Sequence, residues 1–149
     1  MPLLTCIAHD DPGVPDDHYI LEDWYCPNPE CACQDVFFNV RSQQHRHLVC
    51  RVRWNLDPAK HERPVLADSD DPAPYAADLL RTLAPQLMED PAWRELCRDH
   101  FRQLRAVAAN PAHPAYRTVM DWATNENPKF PGAKKHRRRR RNSEAPAHP

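Results

Sequence analysis

A chain of 149 residues, 41% apolar and 28% charged, has material for one modest domain with a small core, plus tails. No run approaches the about 20 apolar residues that a membrane-spanning helix needs, and the two glycines, Gly13 and Gly132, leave no phosphate-cradling glycine loop or nucleophile elbow. Residues 1–133 hold 13 lysines and arginines against 20 aspartates and glutamates, and residues 134–149 hold 7 against 1, so an acidic body carries a basic tail, an arrangement that faces a partner.

In chain order, residues 1–18 form an acidic segment with a short edge strand over Leu3–Ile7. Its groups His9-Asp10-Asp11 and Asp16-Asp17-His18 read as a solvated loop. The start, Met-Pro-Leu-Leu-Thr-Cys-Ile-Ala, lacks the basic region of a secretory signal, which points to a reducing, cytoplasmic setting. Residues 19–67 read as an antiparallel meander. Tyr19–Tyr25 is rich in aromatic and branched residues; Val36, Phe38 and Val40 share one face of a second strand; Leu48, Cys50, Val52 and Trp54 share one face of a third, with Arg51 and Arg53 opposite. The turn between the second and third strands is Ser42–Arg46, and a short strand lies near Val65 and Leu66. If Arg41 pairs with His47, Cys50 faces Phe38, about 17 Å from Cys33 at a strand's rise, and is a core thiol.

Residues 68–123 read as helices of the same domain. Leu79, Leu80, Leu83 and Leu87 recur at helical spacing, with Pro85 expected to end or kink that helix. Asp90-Pro91 starts the next, whose apolar stripe is Trp93, Leu96, Cys97, Phe101, Leu104 and Ala108, and Asn110-Pro111 ends it. A shorter segment spans Ala115–Ala123. Residues 124–149 have almost no apolar content and read as a disordered polybasic tail carrying Lys134, Lys135, Arg137, Arg138, Arg139, Arg140 and Arg141. The expected fold is therefore α+β: a small antiparallel β-meander with two or three helices packed on one face.

The densest chemistry lies in Tyr25-Cys26-Pro27-Asn28-Pro29-Glu30-Cys31-Ala32-Cys33, between the first two strands of the meander. Three of the six cysteines fall within eight residues, on a turn that two prolines stiffen. Thiolates converging on a tight turn suit a structural zinc ion, Zn2+, and a reducing compartment favours metal over disulfide. Cys26, Cys31 and Cys33 are three ligands. His18 is the fourth if the strand between bends back, while Cys6, His9, or Cys97 with His100 would need a tertiary approach. No nucleophile stands beside a base at a telling spacing; Cys50 with His45 or His47 reads as ordinary strand residues, so no enzymatic activity is expected.

Tyr-Cys-x-x-Pro-x-Cys-x-Cys followed by a Val/Phe strand resembles a group of uncharacterised bacterial proteins, many of which end in the SEC-C zinc motif also found on the bacterial preprotein translocase motor. The likeness covers about His18 to Val40, anchored on Tyr25, Cys26, Pro29, Cys31, Cys33 and Val36. Ala32 stands where that group more often has aspartate. Asn127-Pro128 through Arg138 is similar to a SEC-C tail in its Pro, Gly and Lys-Lys positions but lacks all of its cysteines. The resemblance implies a zinc-stabilised domain attached to translation or protein-quality-control machinery. From these residues the expected function is a non-catalytic zinc adaptor whose tail contacts RNA, the ribosome or another acidic partner. The alternative is a thiol redox-responsive zinc switch, in which Cys31 and Cys33 oxidise and release the metal.

Overall fold

The computed structural model describes residues 4–126, and the polybasic segment Lys134–Arg141 lies outside them. Five strands follow one another in both sequence and space, β1 (Leu4–Ala8), β2 (Asp17–Tyr25), β3 (Asp35–Ser42), β4 (Leu48–Asn55) and β5 (Val65–Ala67), every neighbouring pair antiparallel. Three helices follow, α1 (Ala76–Glu89), α2 (Pro91–Ala108) and α3 (Tyr116–Glu126). The α+β architecture expected from the residue patterns is the one observed. The described residues form two units, 4–25 with 34–101, and 26–33 with 102–126.

In the first unit, alternation along the strands builds the core. Tyr19, Leu21 and Tyr25 of β2, Val36, Phe38 and Val40 of β3, and Val52 and Trp54 of β4 are all at most 1% exposed. From α1, Leu79, Leu83 and Leu87 are buried to the same degree, which matches their i, i+4 spacing. Burying each such side chain contributes about 1.5–3 kcal/mol. The Arg94 guanidinium of α2 lies 4.5 Å from the centre of the Trp54 ring and donates to the Asn55 carbonyl at 3.2 Å.

Several details differ from the sequence reading. The β3–β4 register is offset by two residues, Val40 rather than Phe38 opposing Cys50, because a bulge between Val40 and Arg41 takes up the difference. An even offset keeps Cys50 on the inner face, 1% exposed. Helix α1 does not end at Pro85 but runs on to Glu89, the missing N–H outweighed by burial of Leu83 and Leu87 on either side. Helix α3 extends to Glu126, three residues into the stretch expected to be disordered; the remainder of that stretch is outside the described residues. Asp90 caps α2 as expected, its side chain accepting from Ala92 N at 3.0 Å.

At the rim of the sheet, Gln86 of α1 donates from Nε2 to the carbonyl of Ile7 in β1 at 3.2 Å. Gly13 sits in the loop between β1 and β2 at φ +76°, where an added Cβ would lie 2.7 Å from Asp78 Oδ2.

Candidate metal centre

The nine residues between β2 and β3 are shaped by local bonds. Asn28 closes the turn twice: its side-chain oxygen accepts from Glu30 N at 3.0 Å, and its carbonyl accepts from Cys31 N at 3.1 Å. Two residues on, Cys33 N donates to Cys31 Sγ at 3.5 Å. The sulfurs of Cys26, Cys31 and Cys33 lie within 4.8 Å of one another, Cys26 buried and the other two half-buried. A single cation organises the backbone around them. Arg105, in the last turn of α2, donates from Nη1 to Cys31 O at 2.6 Å, from Nε to Cys26 O at 3.4 Å and from Nη2 to Cys33 O at 3.4 Å, with Nη2 also 3.9 Å from Cys33 Sγ. One guanidinium thus ties down the carbonyl of every cysteine in the group, a use of Arg's rigid fork that lysine could not reproduce.

The thiols do not share one environment. The Cys33 N–H donated to the Cys31 sulfur holds the Cys31 thiol below its ordinary range, with Cys33's own side chain and Arg105 acting the same way. Burial pushes Cys33 up to about 12. Three sulfurs drawn this close, with a positive charge alongside, are placed to hold a metal ion. Three thiolates around a divalent ion would leave one net negative charge for Arg105 to offset.

The expected fourth ligand, His18, is not in this group. It is exposed near the beginning of β2, opposite Ile7 of β1, seven residues before Tyr25 along an unbroken strand, about 23 Å at a strand's rise. The other cysteines stand apart: Cys6, Cys50 and Cys97 are each at most 1% exposed, and burial pushes their thiols up to about 12, 11 and 12. Cys50 cannot pair with His45 or His47 as nucleophile and base, because those two rings sit exposed in the β3–β4 turn, 6.0 Å from each other. His9, Asp10 and Asp16 also gather within reach of an ion, but all three are exposed, His9 Nε2 and Nδ1 lying 3.2 and 3.5 Å from the two carboxylates.

One polar cluster was not anticipated. Asp23, on the inner face of β2, is buried against His100 of α2, whose Nδ1 bonds its Oδ2, and the same oxygen accepts from Tyr25 OH at 2.6 Å. Cys97 adjoins the Tyr25 hydroxyl, which burial pushes far above its ordinary range. The signal was present in two places at once: an acid among inward-facing Tyr19, Leu21 and Tyr25, and a histidine one turn from Cys97 on an apolar stripe. Two buried polar groups on facing apolar surfaces satisfy each other.

No family model matches the chain, and neither a curated protein nor a solved structure shows significant similarity to it. Among the described residues, no helix is long and apolar enough to cross a membrane.

Proposed function

We propose that the chain is a non-catalytic, zinc-binding adaptor domain whose basic segment, Lys134, Lys135 and Arg137 to Arg141, contacts RNA. The observation that carries the metal half is the gathering of three cysteine sulfurs within 4.8 Å. Soft thiolates select zinc over the hard cations, and a d10 ion imposes no geometry of its own on whatever fills the remaining position. The resemblance of the Tyr-Cys-x-x-Pro-x-Cys-x-Cys stretch to bacterial zinc-knuckle proteins supports the same ion. The RNA half is supported by charge: seven lysines and arginines in eight positions, with no aromatic among them, favour phosphate contacts over base reading.

Elemental analysis of protein purified without chelator tests the metal. One equivalent of zinc is expected, lost when Cys26, Cys31 or Cys33 is replaced singly by serine; metal-free native protein ends the proposal. The tail is tested by RNA affinity from 50 to 300 mM salt, with the seven cations intact or changed to glutamine. Affinity should fall steeply with salt, with a slope of about −0.7 per phosphate contact on single strands. Equal affinity for both proteins removes the tail as the contact, and preference for a polyglutamate peptide over RNA moves the partner to an acidic protein.

A redox reading of the same thiols is favoured by one contact, the Cys33 N–H at Cys31 Sγ. Oxidation of Cys31 and Cys33 to a disulfide by peroxide, which is reduced to water, would release the metal. Zinc retained at peroxide levels that oxidise ordinary sensor thiols eliminates that reading.

A further inference from the structure

Within the first unit, the end of the sheet and the linker from β5 to α1 enclose a cavity of about 670 Å³, and no residue of the cysteine turn lines it. The linker is a stiff wall. Pro72 and Pro74 each fix their own φ, and the one N–H between them, on Ala73, donates to the Val49 carbonyl of β4 at 2.8 Å. The facing wall is tied as firmly. Asp17, 8% exposed, takes the Ser42 hydroxyl on Oδ2 and the His18 N–H on Oδ1 at 2.7 Å, and Ser42 Oγ in turn accepts from His45 N at 3.1 Å. Walls held in this way keep the cavity's shape without help from an occupant.

The charge lining it is unspent. Among the described residues, the buried Asp17 carboxylate has no basic partner, and Asp70 and Asp71 of the linker are exposed with no ion pair. Arg51 gives only its Nε, to Asn39 Oδ1 at 2.9 Å, so its terminal nitrogens make no hydrogen bond. In the linker wall, Ser69 Oγ is buried without a partner as well. A carboxylate withdrawn from water without a cation is expensive, and a ligand that brings one relieves it. Asp17 and Arg51 are both anchored on β3, at Ser42 and at Asn39, three residues apart, or about 10 Å at a strand's rise. Opposite charges thus line one cavity without meeting.

A lone anion would suit Arg51 and be repelled by three carboxylates. A lone amine would suit the carboxylates and meet Arg51. A molecule with an ammonium at one end and a carboxylate at the other answers both, provided that it is long enough. One amino acid is too short, whereas two or three residues in extended form span about 7–11 Å.

We propose that this cavity binds a di- or tripeptide with free ends, its ammonium at Asp17, its carboxylate at the terminal nitrogens of Arg51, and apolar side chains against Pro15, Leu48 and Tyr75. The site uses neither the cysteine sulfurs nor the basic segment, so it stands or falls separately from the zinc and RNA readings.

The experiment titrates the full-length protein, as purified, with alanyl-leucyl-alanine in a calorimeter. Saturable binding of one equivalent is expected, with a dissociation constant on the order of 0.1–1 mM for a ligand of this size. Acetylating the peptide's amine or amidating its carboxylate should each weaken binding about ten-fold, and free leucine should not saturate the protein. Arg51→Gln should weaken the free peptide by the same factor and leave the amidated one unchanged. Asp17→Asn should do the same for the free and acetylated peptides; if circular dichroism shows that variant unfolded, the capped peptides and Arg51→Gln decide without it. No saturable binding overturns the proposal, and so does equal affinity for free and capped peptides. An Arg51→Gln loss equal for free and amidated peptides overturns it, because the arginine would then not meet the carboxylate. Displacement of the peptide by acetate or methylamine at comparable concentration overturns it too, because a single charge would then suffice.

Discussion

The sheet and the cysteine turn are held by different physics. In the sheet unit, order comes from many apolar side chains, each contributing a little and each backed by several neighbours. The turn spans eight residues, 26–33, of which only Cys26 and Pro27 are buried, and its backbone order passes through Asn28 and one guanidinium. A distributed core tolerates modest losses anywhere. A turn organised by one cation and three sulfurs stands or falls on single residues.

That contrast can be broken by substitution, beginning with the core. Phe38→Ala, at a 0% exposed position, should cost about 3–5 kcal/mol in urea denaturation, equally with and without chelator. A chelator-dependent loss would show that the core is not independent of the metal. Asp23→Ala leaves His100 and the Tyr25 hydroxyl buried without their shared acceptor and should cost about 3 kcal/mol. A loss under 1 kcal/mol would mean that the cluster is solvated after all.

Arg105→Met keeps the stem and removes the fork, so the three carbonyls lose their donor. Zinc affinity, read by competition with a chromophoric chelator, should fall about 10–100-fold, while the midpoint of sheet unfolding moves little. Unchanged affinity would make Arg105 a bystander.

Alkali probes the core thiols. Cys6, Cys50 and Cys97 release their protons near 9 when unfolded but are held up to about 12, 11 and 12 when folded. The unfolded chain ionises first, so this contribution is fully present below pH 9 and disappears as pH rises towards 12, by at most about 1.4 kcal/mol per pH unit and thiol. Urea midpoints at pH 8 and pH 10 measure it, and equal midpoints would place those thiols in contact with water. The smallest effect belongs to Gly13→Ala, about 1 kcal/mol from forcing a side chain to φ +76°.

How much of this was readable in the residues follows the distance over which each feature is decided. Alternation in Val36–Val40 and Leu48–Trp54 is local, and so is the cysteine turn, so both were legible. The edge strands β1 and β5 were as well, from short apolar stretches bounded by turn residues. Register between β3 and β4 was not, because the bulge at Val40 depends on how two strands meet rather than on either one. That α1 would continue past Pro85 was not legible for a related reason: the local cost of a proline is fixed, while the burial that outweighs it is tertiary. His18 and the Asp23–His100 pair show both sides of this. One was a ligand only if the strand between bent back, and that strand runs unbroken from Asp17 to Tyr25; the other joins positions 77 residues apart, and only the oddness of each within its own apolar face gave it away.

The Gln86 side chain at Ile7 has a bearing on how the protein behaves when crowded. A border strand ordinarily offers its carbonyls as a template on which a second chain can align, and Ile7, 55% exposed, is the kind of residue that would reward such docking. By plugging the Ile7 oxygen from α1, Gln86 spoils that template at one rung, while at the far border the three-residue β5 is too short to recruit a neighbour. Fraying of α1 would therefore uncover a sticky margin before the core of the sheet had loosened, and the earliest self-association of this chain should begin there.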